Sequence, residues 1–355
     1  MKLYIFLLST FFISYKSSAQ VDFDKVNSIP ALLQKMDSTI NSGKYERITS
    51  VVVAQKGKVV FEKYYNGKDV NSKHNTRSAT KTITGTLIGT LVDDGLLKSE
   101  KTNAINFFDK STIGNYDPRK DSITIEDLLT MSSILECDDW NQFSRGNEER
   151  MYLIENWDKF YWDLPIKGFP NWVTKPNESK YGRSFSYCTS GVVVLGSIID
   201  QVCNTSSTKY ADNRLFSPLR IKDYKWQFTP TGMPMTGGGL EMRSRDLLKI
   251  VQLYLNQGKW EGKQILSKEW IAKSVSPKVT IDDTTEYGYL WWLQEFNQTK
   301  SYLMSGNGGN KVLACPDLGL AVVITTTNYN NRNAHSYTNE IMGTYIIPAL
   351  KQAKK

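Results

Sequence analysis

Strand-forming segments stand at the two ends of this chain, and a long helical stretch separates them. Near the start, Ser50–Gln55 and Lys58–Tyr65 are rich in Val, Phe and Tyr, and Lys56-Gly57 between them suits a tight antiparallel hairpin. Near the end come Tyr287–Leu293, Ser301–Met304, Lys311–Ala314 and Leu320–Thr326. Two early and about four late strands can share one sheet only if the middle of the chain is an insertion. The expected fold is therefore α/β of the α+β type: an antiparallel sheet built from both chain ends and flanked by helices, with an inserted, mainly helical subdomain. Residues 20–95 and about 281–355 would form the sheet part, and about 96–280 the helical part.

Apolar spacing predicts the main helices. Ser28–Ile40 carries Ile29, Leu32, Leu33, Met36 and Ile40 on one face. A second helix runs through Thr82–Val92 and stops at Asp93-Asp94-Gly95, where Gly95 suits the left-handed residue after a helix end. Thr124–Met131 opens with Thr-x-x-Asp, a capping pattern. Tyr187–Cys203, a segment from Ser244 closed by Gly258, and about 334–351 complete the set.

At 355 residues and 40% hydrophobic, the chain can bury a substantial core. Its formal charge of +8 is scattered, with a dense basic run only at Lys351–Lys355. No aromatic-and-basic module points to nucleic acid. Lys2, the apolar stretch Leu3–Ile13 and the small residues Ser17-Ser18-Ala19 read as a cleavable signal peptide over 1–19. The expectation is an exported periplasmic or secreted protein, with a mature chain from about Gln20, no membrane span, and a monomeric state. Cys137, Cys188, Cys203 and Cys315 match no zinc spacing, and only two histidines exist to help. Disulfides and buried free thiols are both open, and spacing does not define a pairing.

Ser78-Ala79-Thr80-Lys81 is the segment with chemistry. Residues three apart on a helix share a face, so the Ser78 hydroxyl and the Lys81 amine can meet. A desolvated lysine can take the serine proton without any histidine. Serine is also a common helix cap, so the pair acquires weight only from its surroundings. Tyr187, at the start of a helix, can aim its phenol into a cleft; ionised beside a lysine, it could pass protons. Ser305-Gly306-Asn307-Gly308-Gly309-Asn310-Lys311 lies between two strands, where bare backbone can offer N–H groups to an oxyanion. Other hydrolase templates fail: there is no G-x-S-x-G, and His74 reads as a surface or loop residue. Trp140, Trp157, Trp162, Trp172, Trp291 and Trp292 belong first to packing, and some can line an apolar substrate pocket.

Ser78-x-x-Lys81, Tyr187 and the glycine segment from Gly306, in that order, resemble the serine β-lactamase and penicillin-binding protein superfamily. The nearest resemblance is to its class C β-lactamase-related branch, which includes esterases, D-aminopeptidases and 6-aminohexanoate-dimer hydrolases. Ile123–Ser133, Gly237–Leu240 with Arg245-Asp246-Leu247, Tyr287–Trp292 and Pro316–Leu320 agree with it. The resemblance implies that Ser78 is acylated, that Lys81 is its general base and that Tyr187 is a second proton carrier. It implies an oxyanion site made by the Ser78 N–H and an N–H at Gly309 or Asn310. No metal or organic cofactor is implied. The substrate is a small ester, amide or peptide-like molecule, and the alternative is a penicillin-binding sensor or wall-binding protein that acylates without turnover.

The chain departs from the family pattern at two places. Asn307-Gly308-Gly309 stands where lactamases usually carry Lys-Thr-Gly, which removes a charge that attracts a substrate carboxylate. Tyr187-Cys188-Thr189 stands for Tyr-x-Asn, so the Thr189 hydroxyl replaces an amide that would touch substrate. Both changes favour an ester or small amide over a β-lactam.

Overall fold

The computed structural model describes residues 20–24 and 28–351. The expected signal peptide lies outside the described residues. The strands in chain order are β1 Ile48–Gln55, β2 Lys58–Tyr64, β3 Lys73–Asn75, β4 Tyr224–Trp226, β5 Leu240–Arg243, β6 Lys259–Trp260 and β7 Lys263–Gln264. They continue with β8 Val279–Asp282, β9 Thr285–Tyr287, β10 Trp292–Phe296, β11 Thr299–Gly306, β12 Asn310–Cys315 and β13 Leu320–Thr326. The α-helices are α1 Ala31–Asn41, α2 Thr80–Asp93, α3 Ile125–Leu129, α4 Glu148–Met151, α5 Trp157–Asp163, α6 Thr189–Cys203 and α7 Ser207–Ala211. After them come α8 Ser244–Leu255, α9 Lys268–Ser274, α10 Ala334–Glu340 and α11 Ile347–Lys351.

Eight strands form one antiparallel sheet in the order β2-β1-β13-β12-β11-β10-β9-β8. The first and last parts of the chain meet where β1 lies against β13, with Val52 opposite Val323. Lys56 and Gly57 both have positive φ, the geometry of the mirror-image turn that matches strand twist. Alternation along the strands serves two cores. Val52, Ala54, Val312 and Val323 face α2 and α8, whereas Val51, Val53, Leu313 and Ile324 face α1 and the terminal helices. A smaller sheet, β3-β5-β4, ties the approach to Ser78 to the middle of the chain.

The late strands are more numerous than the pattern predicts, because β8 and β9 are short and half-exposed and carry little alternation. The expected strand over Tyr287–Leu293 is broken. Tyr289 N–H donates to Ser274 C=O and Leu290 N–H to Leu129 C=O, both at 2.8–2.9 Å. The segment thus leaves the sheet to bond the helical part, with Leu290 at φ 60°. Gly95 does end α2, at φ 70°. A π-helical stretch, Ile341–Ile346, joins α10 to α11. Among the described residues, no helix is long and apolar enough to cross a membrane.

Candidate active site

Ser78 lies in a 3-10 turn, Arg77–Ala79, that runs directly into α2 rather than in the α-helix itself. Arg77 before it has φ 53°, a left-handed conformation costly for a side chain with a Cβ, and its guanidinium packs 4.4 Å from the Tyr329 ring centre. That bend sets the hydroxyl over the first turn of α2. Lys81, almost fully buried, donates to Ser78 Oγ at 3.0 Å and to Gly237 C=O at 2.5 Å. The carbonyl comes from the Gly237-Gly238-Gly239 turn. A side chain at Gly237 would press on the Thr189 methyl group.

Tyr187 precedes α6 and is buried, with its ring centre 5.2 Å from Lys81 Nζ. Burial raises its phenol pKa; the Lys81 charge and a hydrogen bond with Ser78 pull it down, and Asp139 and Glu148 push it up. The net direction favours the neutral phenol. A disulfide joins Cys137 to Cys188, beside Tyr187, while Cys203 and Cys315 are free thiols. Asp139, two residues from that bridge, accepts from Thr189 N–H at 2.8 Å and Glu148 N–H at 2.9 Å. Burial lifts its carboxyl to about 6, with Lys81 opposing and Glu148 assisting.

The glycine segment sits differently from the expectation. Its loop residues are engaged in holding the hairpin. Asn307 exchanges hydrogen bonds with Asn330, Gly308 C=O accepts from Thr326 Oγ1, and a Cβ on Gly309 would overlap Ala334 C=O. Asn310 is fully buried; its amide donates to Asn307 C=O and accepts from Thr326 N–H. It is Gly306, at the end of β11, that touches the serine turn: a Cβ there would overlap Thr76 C=O.

Register identifies which backbone groups face outward. Phe296 and Thr299 flank a two-residue turn with φ of 49° and 59°, so they form a hydrogen-bonded pair. Alternation then turns the N–H and C=O of Thr299, Ser301 and Leu303 towards β10, and those of Ser305 the same way. But β10 begins at Trp292, opposite Leu303. The Ser305 amide therefore looks onto an unpaired edge next to the Ser78 turn. The family resemblance implies a donor at Gly309 or Asn310; the register of the β10–β11 hairpin adds Ser305 as a candidate on the open edge.

The structure places three further residues. Thr189 is fully buried and its hydroxyl donates to Glu148 at 3.3 Å, so it is not an open substrate contact. His74 is buried in β3, not on the surface; its Nδ1 lies 3.2 Å from Thr49 Oγ1, and burial drops its pKa to about 4. Lys311 falls on the sheet face opposite the nucleophile, in the alternation of Leu313 and Cys315, and burial lowers its amine to about 8.

These features agree with comparison to known proteins. The Beta-lactamase family model matches residues 46–342, most of the chain. The chain belongs to the β-lactamase family. A Bacillus anthracis structure assigned as a 6-aminohexanoate-dimer hydrolase superposes with a TM-score of 0.70 at 19% identity, covering 95% of this chain and 90% of that one. A family VIII carboxylesterase gives 0.65 at 15% identity, covering 93% and 100%. An octameric penicillin-binding protein homologue from Pyrococcus abyssi gives 0.64 at 20%, covering 89% and 76%. Such distant likeness establishes the serine β-lactamase and penicillin-binding protein fold; with an octamer among these structures, the expectation of a monomer gains no support. No curated protein matches the sequence.

Proposed function

We propose that the protein is an exported serine hydrolase that cleaves an ester or amide through a covalent acyl-enzyme on Ser78. The observation that carries this reading is the 3.0 Å contact of Lys81 Nζ with Ser78 Oγ, with the Tyr187 ring against the same amine. The step needs Lys81 in its uncharged form, which takes the hydroxyl proton on its free lone pair as Ser78 Oγ attacks the substrate carbonyl. The oxyanion receives hydrogen bonds from the Ser78 and Ser305 N–H groups, which need no reorganisation as charge develops. Tyr187, neutral at rest, gives its proton to the leaving group as the scissile bond breaks, and recovers one from Lys81. Water then attacks the acyl carbonyl, its proton passing to the same pair, and Ser78 is released with the acid product. The unpaired edge of β11 is suited to an extended amide or ester lying alongside it. The Cys137–Cys188 bridge supports export, since structural disulfides persist in oxidising compartments.

The test is incubation with a fluorophosphonate followed by peptide mass spectrometry, together with turnover of a p-nitrophenyl ester. One adduct on Ser78 is expected, and Ser78→Ala should hydrolyse nothing. Activity retained by that variant would mean that the nucleophile is elsewhere. A stoichiometric burst without turnover would identify the acylating, non-turnover alternative.

A further inference from the structure

Trp140 combines two properties that rarely coincide. Its side chain is 60% exposed, yet its surroundings are fixed. The neighbouring Asp139 N–H donates to Tyr187 C=O at 2.8 Å, Trp140 N–H donates to Asp138 at 2.9 Å, and Asn147 donates to Asp139 C=O at 3.1 Å. The Cys137–Cys188 bridge fastens the same loop to the start of α6. A loop held in this way keeps the exposed ring at a fixed place relative to Tyr187.

The indole also stacks on Tyr187. It lies parallel to the Tyr187 ring, with an interplanar angle of 4° and centres 5.6 Å apart. Phe185 at 5.5 Å and Trp292 at 6.2 Å complete an aromatic wall, and Trp292 is the first residue of β10, where the β11 edge becomes free. Phe143, three residues along and 79% exposed, takes no part in this stack. Thus one exposed ring of the loop borders both the proton-carrying tyrosine and the open strand edge.

We propose that Trp140, with Phe185 and Trp292, forms an aromatic subsite that receives a flat apolar group of the substrate and sets the enzyme's preference. The substrate class is then an ester or amide bearing an aryl or similarly planar substituent a few bonds from the scissile carbonyl. Stacking on preorganised rings and removal of the exposed indole face from water would together favour such a substrate. This inference rests on Ser78 being the nucleophile, and the experiment keeps the two separable.

The measurement is kcat/KM for p-nitrophenyl 3-phenylpropionate divided by kcat/KM for p-nitrophenyl acetate. Trp140→Ala should lower this ratio about tenfold, the size expected for loss of one stacking partner and its buried area. Trp140→Phe should restore most of it, and Phe143→Ala should leave the ratio within about twofold, as expected for a surface ring outside the contact. An unchanged ratio in Trp140→Ala, or an equal fall in Phe143→Ala, overturns the subsite. Calorimetry on Ser78→Ala provides an arm that needs no turnover. Tighter binding of the phenylpropionyl ester than the acetyl ester, lost when Trp140→Ala is added, supports the subsite even if the wild type proves not to be a hydrolase. Equal affinities overturn it.

Discussion

A hydroxyl and an amine three residues apart meet because the chain bends at Arg77 before α2 begins. Their spacing made the meeting legible; the carbonyl of Gly237, 156 residues away, which holds the amine in line, was not. Lys81→Ala and Tyr187→Phe should each lower kcat by about two to four orders of magnitude, as general acid–base groups do. Ester hydrolysis by purified variants checks this, and a small loss in both would remove the proton relay. Asp158 offers a separate test of a buried carboxyl. Ser197 donates to it at 2.6 Å, but burial, with Asp200 nearby, lifts its pKa to about 6. A carboxyl whose folded-state pKa exceeds its unfolded value near 4 adds stability at low pH that is lost as pH rises through about 6. Thermal midpoints should therefore carry a downward contribution between pH 4 and 6 that Asp158→Asn removes; an unaltered slope would refute that assignment.

Elements bring the remaining groups together. Strand β11 is close-packed on the serine turn only because position 306 lacks a side chain. Gly306→Ala must push strand and turn apart. Activity should fall by more than about a hundredfold, in line with the cost of ångström-scale misplacement, while chemical denaturation shows a folded protein. Wild-type activity in that variant would separate β11 from the site. The loop bearing Asp139 and Trp140 depends on the Cys137–Cys188 bridge. Its sequence separation of 51 residues implies about 4 kcal/mol by loop-closure entropy. Cys137→Ser/Cys188→Ser should lose stability of that order in urea, and a loss below about 1 kcal/mol would contradict the tether. Hairpin turns were readable from Lys56-Gly57, whereas β8 and β9 were not, because short, half-exposed strands leave no alternation to detect.

Across the molecule, both faces of the sheet are covered, and the terminal helices close one of them. Ile346 is fully buried there, in the cluster that includes Leu33, Val53 and Leu313. Ile346→Ala should cost about 2–5 kcal/mol in urea unfolding, as core truncations do. Its effect on kcat/KM should be small, because this core lies on the sheet face away from Ser78; a large fall in catalysis at native-like stability would argue for coupling across the sheet. By itself the sequence determined the antiparallel sheet shared by both chain ends, the mainly helical middle, and Ser78 and Lys81 as one pair on the same face. Those features rest on local periodicity and on spacing within one helix turn, whereas Tyr187 stands out only through the family resemblance. The tertiary structure alone decided that β10 stops opposite Leu303 and leaves the end of β11 open, that the Thr189 hydroxyl is occupied by Glu148, and that Cys137 pairs with Cys188. Each of these depends on register or on contact between distant segments. Pattern within a short window carries no record of what the rest of the chain places beside it.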